Sequence, residues 1–223
     1  MKHITCLFLY IFSSTLAHAH GIVGSDQQFL MTNAGFNMIP YIYLGAKHMV
    51  TGYDHLLFLA GVIFFLYKLK DIAIYVTLFA IGHSATLLIG VLGCFHINPY
   101  VIDAIIGFSV VYKAYENMGG FDGYKYKPDI KIAVFIFGLF HGFGLATKLQ
   151  DLAISKEGLI GNMISFNIGV ELGQILALTF MLLAFQLWRA TGYFHRQAFM
   201  CNVLIVLAGL ILMGYQITGY LVS

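Results

Sequence analysis

Four histidines of this chain lie inside long apolar runs, where an ionisable side chain is expensive: His48, His55, His83 and His141. The densest stretch reads His48-Met49-Val50-Thr51-Gly52-Tyr53-Asp54-His55. Positions seven apart on a helix differ by about 20°, so His48 and His55 share a face two turns apart. Asp54 points about 100° away from His55 on regular geometry, and Gly52 is placed to loosen that turn. Two imidazoles and a carboxylate form a donor set for a borderline transition metal such as nickel, cobalt, zinc or copper. The competing reading is histidines that hydrogen-bond neighbouring helices. The His-x5-Asp-His spacing inside one run favours the metal.

Other polar residues recur at matching places. Gly82-His83-Ser84-Ala85-Thr86 offers His83 as a ligand. Ser84 is a donor beside it, or bonds its own helix backbone as Thr86 is expected to. Phe140-His141-Gly142-Phe143-Gly144 adds an imidazole between glycines that admit a close neighbour. Asn167, Glu171 and Gln174 stand at i, i+4 and i+7 of a strongly apolar run, one helix face. His55, His83, His141 and Glu171 fall near the middles of their runs, and groups at one depth suggest one site. The expected metal set is therefore His48, Asp54, His55, His83, His141 and Glu171. Ser84, Asn167 and Gln174 are expected around it. Asp103 lies toward one end of its run, an ion-path candidate, and Glu116-Asn117 toward the other. Glu116 either lines a vestibule or pairs with Lys113 near the headgroups. His96, His195, Asp151 and Glu157 read as solvated loop residues.

The elements that position these groups follow from composition. Of 223 residues, 60% are hydrophobic and only 10% charged. Ordinary soluble domains carry about 25% charged residues, so a soluble fold and a disordered chain are both excluded. The net charge of +2 leaves no basic face for nucleic acid. An all-α, polytopic membrane bundle remains. Six apolar segments, at about 41–67, 72–95, 98–117, 130–149, 160–188 and 199–221, each suffice to cross about 30 Å of hydrocarbon. They lack the alternation of barrel strands. Met1-Lys2-His3, an apolar run from Ile4 to Leu16 and Ala17-His18-Ala19 form a signal-peptide pattern. The domain reading is a signal peptide at 1–19 and one integral membrane domain at 20–223. Cleavage after Ala19 places His20 at the new terminus, where amine and imidazole form a candidate chelating pair.

A cleaved signal puts the mature N-terminus outside, and six spans return the C-terminus there. Lys68, Lys70, Lys125, Lys127, Lys131, Arg189 and Arg196 fall on one side, against Lys148 and Lys156 on the other. Positive charge marks the cytoplasmic side and agrees with that orientation. Cys6 leaves with the signal, and Cys94 and Cys201 are too few for a disulfide framework. An internal echo, 86 positions from His55 to His141 and 88 from His83 to Glu171, raises a 3+3 inverted repeat.

Together these stretches resemble the HupE/UreJ family of hydrogenase and urease accessory membrane proteins. The resemblance rests on His48-x5-Asp54-His55 followed by Leu-Leu-Phe-Leu, on Gly82-His83-Ser84-x-Thr86-Leu87, and on Ser109-Val110-Val111-Tyr112 leading to Glu116-Asn117. It rests equally on Phe140-His141-Gly142-Phe143-Gly144 and on Phe166-Asn167-x-Gly169-Val170-Glu171-x-Gly173-Gln174. It implies a nickel or cobalt permease of a bacterial-type cytoplasmic membrane, with a hydrogenase or urease maturation system as partner. Nickel-transporting relatives carry His-Gly-x-x-x-Gly-x-Glu, whereas here Lys148 stands where that carboxylate would. Glu171 on the next helix is the expected substitute. No permanent cofactor is expected, only the transported cation, and the donor set suits zinc or copper as well. Two other classes stay open: an intramembrane zinc hydrolase, and a metal-delivery or sensor protein without transport. The chain has no His-Glu-x-x-His and no phosphate-binding Gly-x4-Gly-Lys-Ser/Thr. A non-enzymatic role is the expectation.

Overall fold

The computed structural model describes residues 25–223 apart from 33, 94, 96, 126–127 and 151–155. The expected signal segment, His20, Cys94, His96 and Asp151 fall outside the described residues. Within them the chain is helical: α1 (Ser25–Thr32), α2 (Met38–Thr51), α3 (Tyr53–Ile63), α4 (Leu69–Gly93), α5 (Pro99–Asn117), α6 (Ile130–Gln150), α7 (Leu159–Ala190) and α8 (Phe194–Val222). Four of these, α4, α6, α7 and α8, are long and apolar enough to cross a membrane. Large apolar side chains cover their outer faces, among them Leu172, Phe180, Leu187, Leu204 and Ile211. Such a surface is stable against lipid and not against water.

The first expected run is not one continuous helix. It breaks at Gly52, whose backbone is extended (φ −73°, ψ 100°), into α2 and α3. A Cβ at Gly52 would stand 2.8 Å from His55 Nδ1 and 3.2 Å from Asp54 Oδ1. Only glycine leaves those two side chains where they are. The far end of α3 is closed by Arg189, which donates to the carbonyls of Ile63 (3.0 Å) and Phe64 (2.7 Å). The Ile63 carbonyl also accepts from the Leu66 N–H at 3.1 Å, so the end of α3 is held by both backbone and side chain. The third expected run forms α5, which is short and carries Asp103, Lys113 and Glu116. Asn98 caps α5 by accepting from the Tyr100 N–H at 3.0 Å, with Pro99 in the first turn.

Glycines set the helix pairs. Gly45 of α2 lies against the Phe166 carbonyl of α7, and Gly169 of α7 against the Ile42 carbonyl of α2. Further along, Gly173 meets Ala46, while Asn37 and Asn162 are hydrogen-bonded near the starts of the two helices. The numbers rise together, so α2 and α7 run in the same direction. Helices α4 and α6 also run in parallel, through Phe79 with Gly138, Thr86 with Gly142, and Gly90 with Ala146. Helices α5 and α8 are antiparallel, through Tyr100 with Gly219, Gly107 with Met213, and Asn117 with Asn202. Without a hydrophobic drive between helices in lipid, close backbone approach at small residues supplies much of the association. Phe58, Phe79, Phe166, Leu87 and Leu145 fill the space between these pairs.

Candidate metal centre

The break at Gly52 builds the centre. An unbroken helix would hold His48 and His55 about 10 Å apart along its axis. Across the break their rings meet edge to face with centroids 5.1 Å apart. His83 enters from α4, its ring centroid 5.7 Å from that of His55. His48, His55 and His83 each offer a ring nitrogen, and these donor atoms lie within 4.8 Å of one another. All three are buried. A tetrahedral metal at about 2.0–2.1 Å from its nitrogens needs donors closer together than that limit.

Asp54 is buried beside the trio, its Oδ1 3.2 Å from His55 Nδ1. A carboxylate accepting from one ring nitrogen fixes the tautomer and leaves the other nitrogen for a metal. Neither ring nitrogen of His83 has a hydrogen-bond partner among the described residues. Buried polar atoms are nearly always satisfied, so this pair of nitrogens fits a site that takes a cation. His141, from α6, is fully buried, with its ring 4.9 Å from that of His55. It stands outside the three-donor group, and its Nε2 is 3.5 Å from Ser109 Oγ. Phe79 and Phe166 wall the centre, with ring centroids 4.9 Å from His141 and 6.0 Å from His48. Dry aromatic walls strengthen every electrostatic interaction inside.

The remaining expected residues divide by helix face. Glu171 is exposed and is not brought to the imidazoles. The buried stripe of α7 runs through Met163, Phe166, Val170, Gly173 and Ala177. Glu171 lies about 100° round from Val170, which turns its carboxylate off that stripe. Asn167 and Gln174, nearer the stripe, are buried. Asn167 Oδ1 and Gln174 Nε2 have no hydrogen-bond partner among the described residues. Ser84 is half-buried, and its Oγ likewise lacks one. Thr86 bonds its own helix at Gly82 (2.9 Å) and also crosses to the Leu139 carbonyl (2.8 Å).

Toward one end of α5, Lys113 pairs with Glu116 and donates to Asn117 at 2.8 Å. Asn117 ties that end to the Gly61 carbonyl (2.8 Å) and to Asn202 (3.0 Å). Toward the other end, Asp103 is paired with Lys148 of α6 at 2.6 Å. In the sequence Lys148 stands out only as a charge that marks orientation and as a departure from the family motif, and Ser109 only as part of that motif. One signal for Lys148 was available: it stands seven positions after His141, on the same face two turns on.

A family model described as HupE / UreJ protein matches residues 24–223. Comparison with curated proteins and with solved structures returns no match.

Proposed function

The chain belongs to the HupE/UreJ family, and from that premise we propose that it is a permease for a divalent transition metal, nickel or cobalt. The carrying observation is the buried trio His48, His55 and His83, with donor atoms within 4.8 Å of one another inside a helical membrane bundle. Imidazole nitrogen suits nickel and cobalt, and Asp54 supplies both orientation and compensating charge. Conduction also requires that the site release its ion. The membrane potential, worth about 2.3 kcal/mol per charge per 100 mV, acts twice on a dication. We place the protein in the cytoplasmic membrane, where it supplies a hydrogenase or urease maturation system.

Six crossings are the reading that satisfies every helix direction: α2 with α3 counts as one broken span, and α5 as another. A 3+3 inverted repeat is supported by recurring contacts. Gly82 against Phe135 corresponds to Gly169 against Ile42, and Gly138 against Phe79 to Gly45 against Phe166. Gly142 beside Thr86 corresponds to Met49 beside Gly173. In each case the α2 and α6 members differ by 93 positions and the α4 and α7 members by 87. Between α5 and α8 an offset of 102 relates Gly107–Met213 to Gly209–Val111, and Tyr100–Gly219 to Asn202–Asn117. The same rule makes His48 beside Phe166 the counterpart of His141 beside Phe79. These offsets differ from the 86 and 88 of the sequence echo, because the contacts match His141 with His48 rather than with His55. A broken helix and a repeat whose halves meet at the imidazoles are features of alternating-access carriers. They favour transport over hydrolysis or static delivery.

The test is Ni2+ uptake into proteoliposomes under an imposed potential, by wild type and by His55→Ala. Potential-driven uptake by wild type that His55→Ala abolishes is the expected result. Equal accumulation by both would overturn the proposal.

A further inference from the structure

Helix α5 carries two carboxylates, Asp103 and Glu116, each joined to a lysine. They are thirteen positions apart, about 20 Å along the helix. Ser109, which faces His141, lies between them. The imidazole centre is thus bracketed by one lysine–carboxylate pair toward each end of α5.

The two pairs are built differently. Lys113 and Glu116 are one turn apart on the same helix, so their bond holds no two elements together. Lys148 and Asp103 come from α6 and α5. Asp103 is 7% exposed, and its Oδ2 accepts from Lys148 Nζ at 2.6 Å. Its Oδ1 is buried with no hydrogen-bond partner among the described residues. That oxygen faces Gly144, where an added Cβ would stand 3.5 Å away. A buried carboxylate with an oxygen to spare is a hard donor suited to a divalent cation. The lysine beside it is retractable: its side chain is 23% exposed and lies in the last turn of α6. An ammonium is a compact point charge on a flexible stem.

We propose that Lys148 is a tethered counter-cation that closes Asp103 between α5 and α6, and that an incoming divalent cation displaces it to reach the imidazole centre. Asp103 is then the carboxylate station on that side, and Lys148 the built-in competitor that keeps weakly binding ions out. This rests on the permease reading above. The ammonium leaves with its own proton, and no bond other than the ion contact changes.

The experiment measures Ni2+ uptake by proteoliposomes and, separately, Ni2+ binding to the detergent-solubilised protein by calorimetry. The variants are Lys148→Gln, Lys148→Arg, Asp103→Asn and Lys148→Gln with Asp103→Asn, each checked for monodispersity. Lys148→Gln is expected to lower the KM for Ni2+ about tenfold and to make uptake sensitive to Mg2+. Lys148→Arg keeps the charge and is expected to stay insensitive to Mg2+. Asp103→Asn leaves the ammonium alone at the mouth and is expected to raise the KM about tenfold. The double variant is expected to recover part of that loss. An unchanged KM for Lys148→Gln, or a fall in maximal rate alone for both single variants, would overturn the inference. A wild type without flux would sink the permease reading instead. In that case tighter Ni2+ binding by Lys148→Gln would still support the displacement of Lys148, and unchanged binding would refute it.

Discussion

His48 and His55 meet edge to face across the break at Gly52, with ring centroids 5.1 Å apart. The two rings come from either side of the extended glycine, His48 from α2 and His55 from α3. The candidate centre therefore depends on a backbone feature as much as on its imidazoles.

Gly52→Ala tests that dependence. The new methyl would stand 2.8 Å from His55 Nδ1, so the His55 ring and Asp54 must move. Ni2+ affinity is expected to fall at least about tenfold while the protein stays monodisperse. Calorimetry on the solubilised protein reads it, and wild-type affinity would show that the break is incidental.

His83→Ala removes a donor whose nitrogens have no other partner among the described residues. Binding and uptake should both drop toward background. His195→Ala, on an exposed ring at the start of α8, should leave both unchanged.

Asp54→Asn keeps the shape and the contact with His55 Nδ1 but loses the negative charge. An outer partner of a ligating imidazole is worth about 10–100-fold in metal affinity. A loss in that range is expected, with Co2+ showing it as a weakened visible absorption band at fixed concentration.

Glu171→Gln separates the helix-face argument from the depth argument. The carboxylate is exposed, off the buried stripe of α7. Equilibrium Ni2+ binding is expected to stay within about twofold of wild type, since the trio is complete without it. A large loss would place Glu171 in the site.

Gly45→Leu probes the packing that holds the centre. Its side chain would run into the Phe166 carbonyl of α7, next to His48. Overpacking of this kind costs about 1–3 kcal/mol, and backbone in the way raises it. A lowered apparent midpoint of thermal unfolding in detergent is expected, with Ni2+ binding weakened in parallel.

Much of the architecture is legible in the chain itself. Apolar runs without alternation demand membrane helices, because backbone groups in hydrocarbon must be satisfied internally. The imidazoles inside those runs announce a site, because isolated polar groups there are too expensive to be idle. His48, Asp54, His55 and His83 were each assigned to one centre on that ground, and the fold brings their side chains together. His141 was assigned there too, and it stands beside the trio against Ser109.

Depth alone does not say which way Glu171 faces. Periodicity tells which residues of one helix share a face, but these helices are apolar nearly all round, so the pattern does not say which face meets a neighbour. That choice was made by Gly45, Gly169 and Gly173, which dock α7 onto α2 and turn Glu171 outward. The union of Lys148 with Asp103 spans 45 positions and two helices, and no local rule connects them. The sequence determined the helices, the buried imidazoles and the glycines that let backbones touch. Tertiary structure decided the rotation of α7 and the pairing of Lys148 with Asp103, because each depends on contacts between segments distant in the chain.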